Sequence, residues 1–152
     1  MLAATPNRNN TGSRPKRILL ADDNALLRTT LRSCLMLNGF EVLACASGNE
    51  ALERASTGTR IDLLLSDFEM PGITGLQLAV ELTSVRQQLP VVVMSGSTMI
   101  NVLRQAVEQR GWCFLAKPFM VPELIRTVER LMQPKPALAG ASDTTAHAHQ
   151  LK

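Results

Sequence analysis

Five short apolar runs recur along the middle of the chain, each separated from the next by a helical pattern, and this alternation restricts the fold more than any other feature. They are "RILLA" (Arg17 to Ala21), "FEVLAC" (Phe40 to Cys45), "IDLLLS" (Ile61 to Ser66), "VVVMS" (Val91 to Ser95) and "CFLA" (Cys113 to Ala116). Their length and almost unbroken apolar character suit strands of a parallel sheet covered on both faces. The intervening segments carry helix punctuation. Ser47 with Glu50 and Thr74 with Gln77 fit capping boxes, Gly39 stands where the first helix should stop, and Pro122 suits the first turn of a last helix from Val121 to Gln133. Five βα units with right-handed crossovers predict a doubly wound α/β sandwich with strand order 2-1-3-4-5.

The length of 152 residues suits one domain with a sizeable core, built mainly from aliphatic side chains because aromatics are only 3% and Tyr is absent. There is no apolar run of 18 residues and no signal-peptide pattern in "MLAATPNRNNTGSRPKR", which predicts a cytoplasmic protein without a membrane span. Cys34, Cys45 and Cys113 are odd in number and lack CxxC spacing, so they read as reduced core thiols. The formal charge of +3 does not define a basic groove. Twelve basic and twelve acidic residues cancel between Lys16 and Gln133, and the excess lies in Arg8, Arg14, Lys135 and Lys152 against Asp143. No direct nucleic-acid binding is expected. Residues 1–15 and 134–152 read as disordered polar tails flanking a domain over 16–133, with His147 and His149 solvated rather than metal-binding.

In a sheet of this kind ligands bind beyond the carboxyl ends of the strands, at the point where strand order reverses. The first strand ends in Asp22-Asp23, the third in Asp67, the fourth in Ser95 and the fifth in Lys117, so every polar group at issue falls on that rim. Each has a plainer reading: the acid pair could cap a helix, Asp67 could serve the turn marked by Pro71-Gly72, and Lys117 could be solvated. Their joint placement argues for a site. Carboxylates about 4 Å apart repel by roughly 4 kcal/mol at an effective dielectric of about 20, so a cation should sit among them. All-oxygen ligation without Cys or His points to Mg²⁺ rather than zinc. A metal, an amine and a hydroxyl around one carboxylate are what phosphoryl transfer needs, with Asp67 as the nucleophile.

The motifs "ADDN", "SDFEMPGITG", "VVVMSGS" and "FLAKPF", in this order and spacing, resemble the receiver domain of bacterial two-component response regulators over Lys16 to Gln133. The resemblance implies a flavodoxin-like three-layer sandwich and a phosphoryl group accepted on Asp67 from a histidine kinase or phosphotransfer protein. It implies Asp23 as direct Mg²⁺ ligand, Asp22 acting through water, and the backbone carbonyl of Glu69 completing the set. Lys117 would pair with phosphoryl oxygens, the Lys117-Pro118 bond would be cis, and Ser95 and Phe114 match the hydroxyl and aromatic switch positions. Phe114 departs from Tyr in lacking a hydroxyl, and Trp112-Cys113 stand where many receivers have acidic residues. Glu69 lies where side chains vary and help set phosphoryl lifetime.

The 19 residues after Gln133 are too few and too polar for an output domain, which predicts a stand-alone receiver acting by contact with a protein target or as a relay intermediate or phosphate sink. Partners would bind through helix four, strand five and helix five. Helix four, from Thr98 to Arg110, has a wider apolar arc than one buried stripe needs, which would also suit a homodimer, and Trp112 is either a partner contact or packed under that helix. Rival readings fit less well. An aspartyl-nucleophile phosphatase would carry a second Asp where Glu69 stands, an FMN carrier would want a glycine-rich loop in place of "DDNALLR", and an inert pseudo-receiver need not bind Mg²⁺.

Overall fold

The computed structural model describes residues 12–134. Ten elements alternate: β1 Arg17–Ala21, α1 Ala25–Leu37, β2 Glu41–Cys45, α2 Gly48–Ser56, β3 Leu63–Asp67, α3 Gly75–Val85, β4 Val91–Ser95, α4 Ile100–Glu108, β5 Cys113–Ala116 and α5 Val121–Met132. The strands form one parallel sheet in the order β2-β1-β3-β4-β5. This is the predicted architecture, and its cause is visible in the strands. Alternate residues of one strand feed opposite layers: Leu19 and Leu64 face α2 and α3, whereas Ile18, Leu20, Leu63 and Leu65 face α1 and α5. Both faces of the central strands are therefore covered, and each leucine buried there contributes about 1.5–3 kcal/mol.

The helices sort by their apolar stripes. Leu31 and Leu35 of α1 pack beside Leu124, Ile125 and Val128 of α5; Ala51 and Ala55 of α2, Leu78, Ala79 and Leu82 of α3, and Leu103 and Val107 of α4 form the opposite layer. The Thr74–Gln77 capping box is complete in both directions. That of α2 is half made: Ser47 accepts from the Glu50 amide at 3.1 Å, but Glu50 reaches the Ala46 amide and pairs with Arg54. Gly39 has φ +89°, which removes the steric cost a side chain would carry just past α1.

Several boundaries differ from those expected. β3 begins at Leu63 and runs through Asp67, so the carboxylate belongs to the strand itself. Before it, Asp62 spends its side chain on the Arg17 amide at 2.7 Å. β2 begins at Glu41 because the Phe40 amide closes the end of α1 on Leu35 O. α4 is shorter than Thr98 to Arg110: Met99 offers no capping side chain, and the Arg110 amide turns back to Val107 O. α5 ends at Met132. The acid pair does not cap α1; Asn24 does, accepting from the Leu27 amide at 3.0 Å.

The three cysteines are free thiols, and burial, helped by Glu50, pushes Cys45 up to about 11. No helix among the described residues is long and apolar enough to cross a membrane. Pro15 O accepts from Arg60 at 2.6 Å; residues 1–11 and 135–152, with His147 and His149, lie outside the described residues.

Candidate functional site

β1, β3, β4 and β5 end on one rim, which brings together Asp22, Asp23, Asp67, Ser95 and Lys117 as expected. Asp67 is 6% exposed, and Lys117 Nζ donates to its Oδ1 at 2.8 Å. The same ammonium stands 3.5 Å from Asp22 Oδ2. Asp22 is fully buried and otherwise committed: its Oδ1 accepts from the Asn24 amide at 2.9 Å, and its backbone carbonyl accepts from Arg28 Nη1 at 2.7 Å. Asp23 is exposed. One carboxylate oxygen from each of Asp22, Asp23 and Asp67 lies within 4.8 Å of the others.

The Lys117 ammonium pairs with two of the three carboxylates, Asp22 and Asp67. Burial raises the pKa of Asp67, with Asp22 and Asp23 adding repulsion that the Lys117 hydrogen bond only partly offsets. Burial would lower Lys117, yet its hydrogen bond and charge interaction with Asp67, with Asp22 in support, raise it overall, so it stays cationic. A hard divalent cation with oxygen ligands fits this donor set.

Backbone contacts aim the acceptor. The Phe68 amide donates to Met94 O at 2.8 Å, the Gly75 amide to Phe68 O at 3.0 Å, and Ser66 Oγ to Asp67 O at 2.9 Å. Gly75 packs directly on the Asp67 carbonyl and leaves no room for a Cβ. Sequence reasoning quoted Gly75 within a motif but assigned it no task; its place next to a capping Thr was the available signal. Arg28, which braces the Asp22 carbonyl, was missed as well, since nothing local distinguishes it from a solvated helix residue.

Ser95 is fully buried at the end of β4, and its hydroxyl accepts from the Ser97 amide at 3.1 Å. The Lys117 amide donates to Ser95 O at 2.9 Å, tying the two strand ends together. Phe114 and Ser95 share the face under α4, where Phe114 pairs with Val93 and Ser95 with Ala116. Glu69 is exposed in the loop after β3. The Lys117-Pro118 bond is cis. Trp112 is half-buried against the layer that contains Leu103 and Val107, with the Arg110 guanidinium 5.7 Å from its ring centroid.

Compared with known proteins, residues 18–129 match the response regulator receiver domain. The chain belongs to that family. As a receiver it is 33% identical over 135 residues to the transcriptional regulatory protein PrrA of Mycobacterium leprae, covering 89% of this chain but 58% of PrrA, so it spans little more than half of that relative. The response regulator receiver protein from Sinorhizobium medicae superposes with a TM-score of 0.71 at 32% identity, over 78% of this chain and 94% of that one. TrrA from Thermotoga maritima, whose crystal structure is a complex with Mg²⁺-BeF, gives 0.68 at 29% identity, over 76% of this chain and 98% of TrrA.

Proposed function

We propose that this receiver accepts a phosphoryl group on Asp67 from a histidine kinase or phosphotransfer protein in the cytoplasm, with Mg²⁺ bound, and that the modification alters the face made by α4, β5 and α5. One observation carries the reading: a strand-end carboxylate, 6% exposed, is held 2.8 Å from Lys117 Nζ beside two further carboxylates. In the transfer the bond from phosphorus to the histidine nitrogen breaks as a bond to an Asp67 oxygen forms, and the imidazole takes a proton from solvent. Lys117 holds one Asp67 oxygen, leaving the other to attack, and its ammonium then neutralises phosphoryl oxygens.

Mg²⁺, when bound, supplies further neutralisation of the transferring group. Asp23, whose carboxylate has no hydrogen-bond partner among the described residues, would hold the ion directly together with Asp67. Asp22, already serving the Asn24 amide and Lys117, would act through water, and the Glu69 carbonyl would complete the protein ligands. The Mg²⁺-BeF complex of TrrA favours the same ion here. The chain turns over no external substrate on this reading and catalyses at most its own phosphorylation and dephosphorylation.

Ser95 accepts from the Ser97 amide, which leaves its O–H free to donate to the phosphoryl group. Phe114 is only 9% exposed, so its part in the switch is an exchange of partners rather than a loss of exposure. The output face includes Met99 and Val102, 65% and 63% exposed, which lie outside the α4 stripe of Leu103 and Val107 and suit a protein target or a second receiver.

The test is acetyl phosphate with Mg²⁺ on wild type and Asp67→Asn, read by intact mass and phosphopeptide mapping. Wild type should gain one phosphoryl group on the peptide containing Asp67, and the variant should gain none there. Equal labelling of both overturns the assignment.

A further inference from the structure

Arg104 lies on the exposed side of α4, and its guanidinium carbon stands 5.1 Å from the centroid of the Phe114 ring. That is within the ~6 Å over which a cation is drawn to an aromatic face. Glu108 follows four positions later, where a helical ion pair could form, yet Arg104 makes no salt bridge among the described residues. Its guanidinium lies over the ring, with the residue otherwise exposed. Phe114 is thus held between the sheet at Val93, the α4 residues Leu103 and Val107, and the guanidinium. On the same face Ser95 keeps its hydroxyl on the Ser97 amide. Arg104 thus stands over a ring on the same sheet face as Ser95.

We propose that Arg104 is a latch on the switch: its guanidinium holds Phe114 in the position of the unmodified receiver, and movement of the ring toward Ser95 breaks that contact. The proposal rests on the phosphoacceptor reading of Asp67. Arg104 touches none of the site's reacting groups; it is a positioning residue that sets how strongly the unmodified state is favoured. A contact made in only one state biases the equilibrium by its own free energy, and the bias is reciprocal. A latch on the unmodified state weakens binding of any phosphoryl mimic at Asp67, so its removal must strengthen that binding. A residue that merely packed would leave the affinity unchanged or lower it.

The full chain is compared with Arg104→Gln and Arg104→Lys, with thermal melts to verify folding. In the unmodified protein, three-bond couplings at Phe114 should show side-chain rotamer populations moving away from those of wild type in Arg104→Gln. With Mg²⁺ present, Arg104→Gln should bind beryllofluoride about two- to fivefold more tightly, equivalent to about 0.4–1 kcal/mol at 1.4 kcal/mol per factor of ten. Arg104→Lys, which keeps the charge but not the planar stacking, should fall between. Unchanged rotamer populations overturn the latch, and so does an affinity that stays equal or falls. If wild type fails to bind beryllofluoride, the phosphoacceptor reading is what fails, and the Phe114 populations alone decide the latch.

Discussion

Gly75 opens α3 against the carbonyl of Asp67: a Cβ there would overlap the carbonyl oxygen and lie 2.9 Å from its carbon and 3.0 Å from Ser66 Oγ. The obstacle is backbone in a central strand, which cannot yield as a side-chain tip would. Gly75→Ala should therefore destabilise the fold by about 1–3 kcal/mol, as overpacking does, and slow labelling of Asp67 because the backbone that aims the carboxylate must shift. Gly96 provides the control, since a Cβ there meets Lys117 Cβ at an ordinary 3.5 Å. Urea unfolding and acetyl phosphate labelling of Gly75→Ala and Gly96→Ala should separate the two; wild-type behaviour from Gly75→Ala would show that α3 can move away freely.

α4 has few constraints of its own. It has no side-chain cap at Met99, buries only Leu103 and Val107, and begins after a loop in which Ser97 binds Ser95 on one side and the Met99 amide on the other. A helix so entered can respond to the loop before it. We expect Ser95→Ala to retain phosphorylation of Asp67, because Lys117 and the carboxylates are untouched, while the response of α4 and Phe114 amide shifts to beryllofluoride shrinks. Chemical-shift mapping of both proteins with and without the mimic checks this, and an equal α4 response would remove Ser95 from the coupling. α3 shows the opposite character: its Thr74–Gln77 box and its contact at Gly75 anchor the start of the helix beside the acceptor strand.

Across the whole molecule, every strand, helix and site residue among the described residues lies between Arg17 and Met132. Among the described residues, the hydrogen bond furthest toward the N-terminus is that of Arg60 to Pro15 O, at 2.6 Å. A chain trimmed to residues 14–134 keeps this bond and should match the full chain in melting temperature and in labelling of Asp67. A large fall in melting temperature on trimming would show that the removed segments dock on the domain.

The sequence by itself determined the layer architecture, the strand order and the rim that carries Asp22, Asp23, Asp67, Ser95 and Lys117, because apolar periodicity and strand ends are local properties that adjacent residues express. It also anticipated the α3 cap, since both partners of that box lie within one turn. The true end of β3 at Asp67, the shortening of α4, and the choice of Asn24 rather than the acid pair as cap depended on which backbone groups found partners. Gly75 against Asp67, Arg28 on the Asp22 carbonyl and Arg104 over Phe114 were decided only by tertiary structure. The ion pairs of Lys117 join residues 95 and 50 positions apart, and their positions follow from the sheet order. Contacts such as that of Arg104 depend instead on how one packed layer settles on another, and no local pattern carries that information.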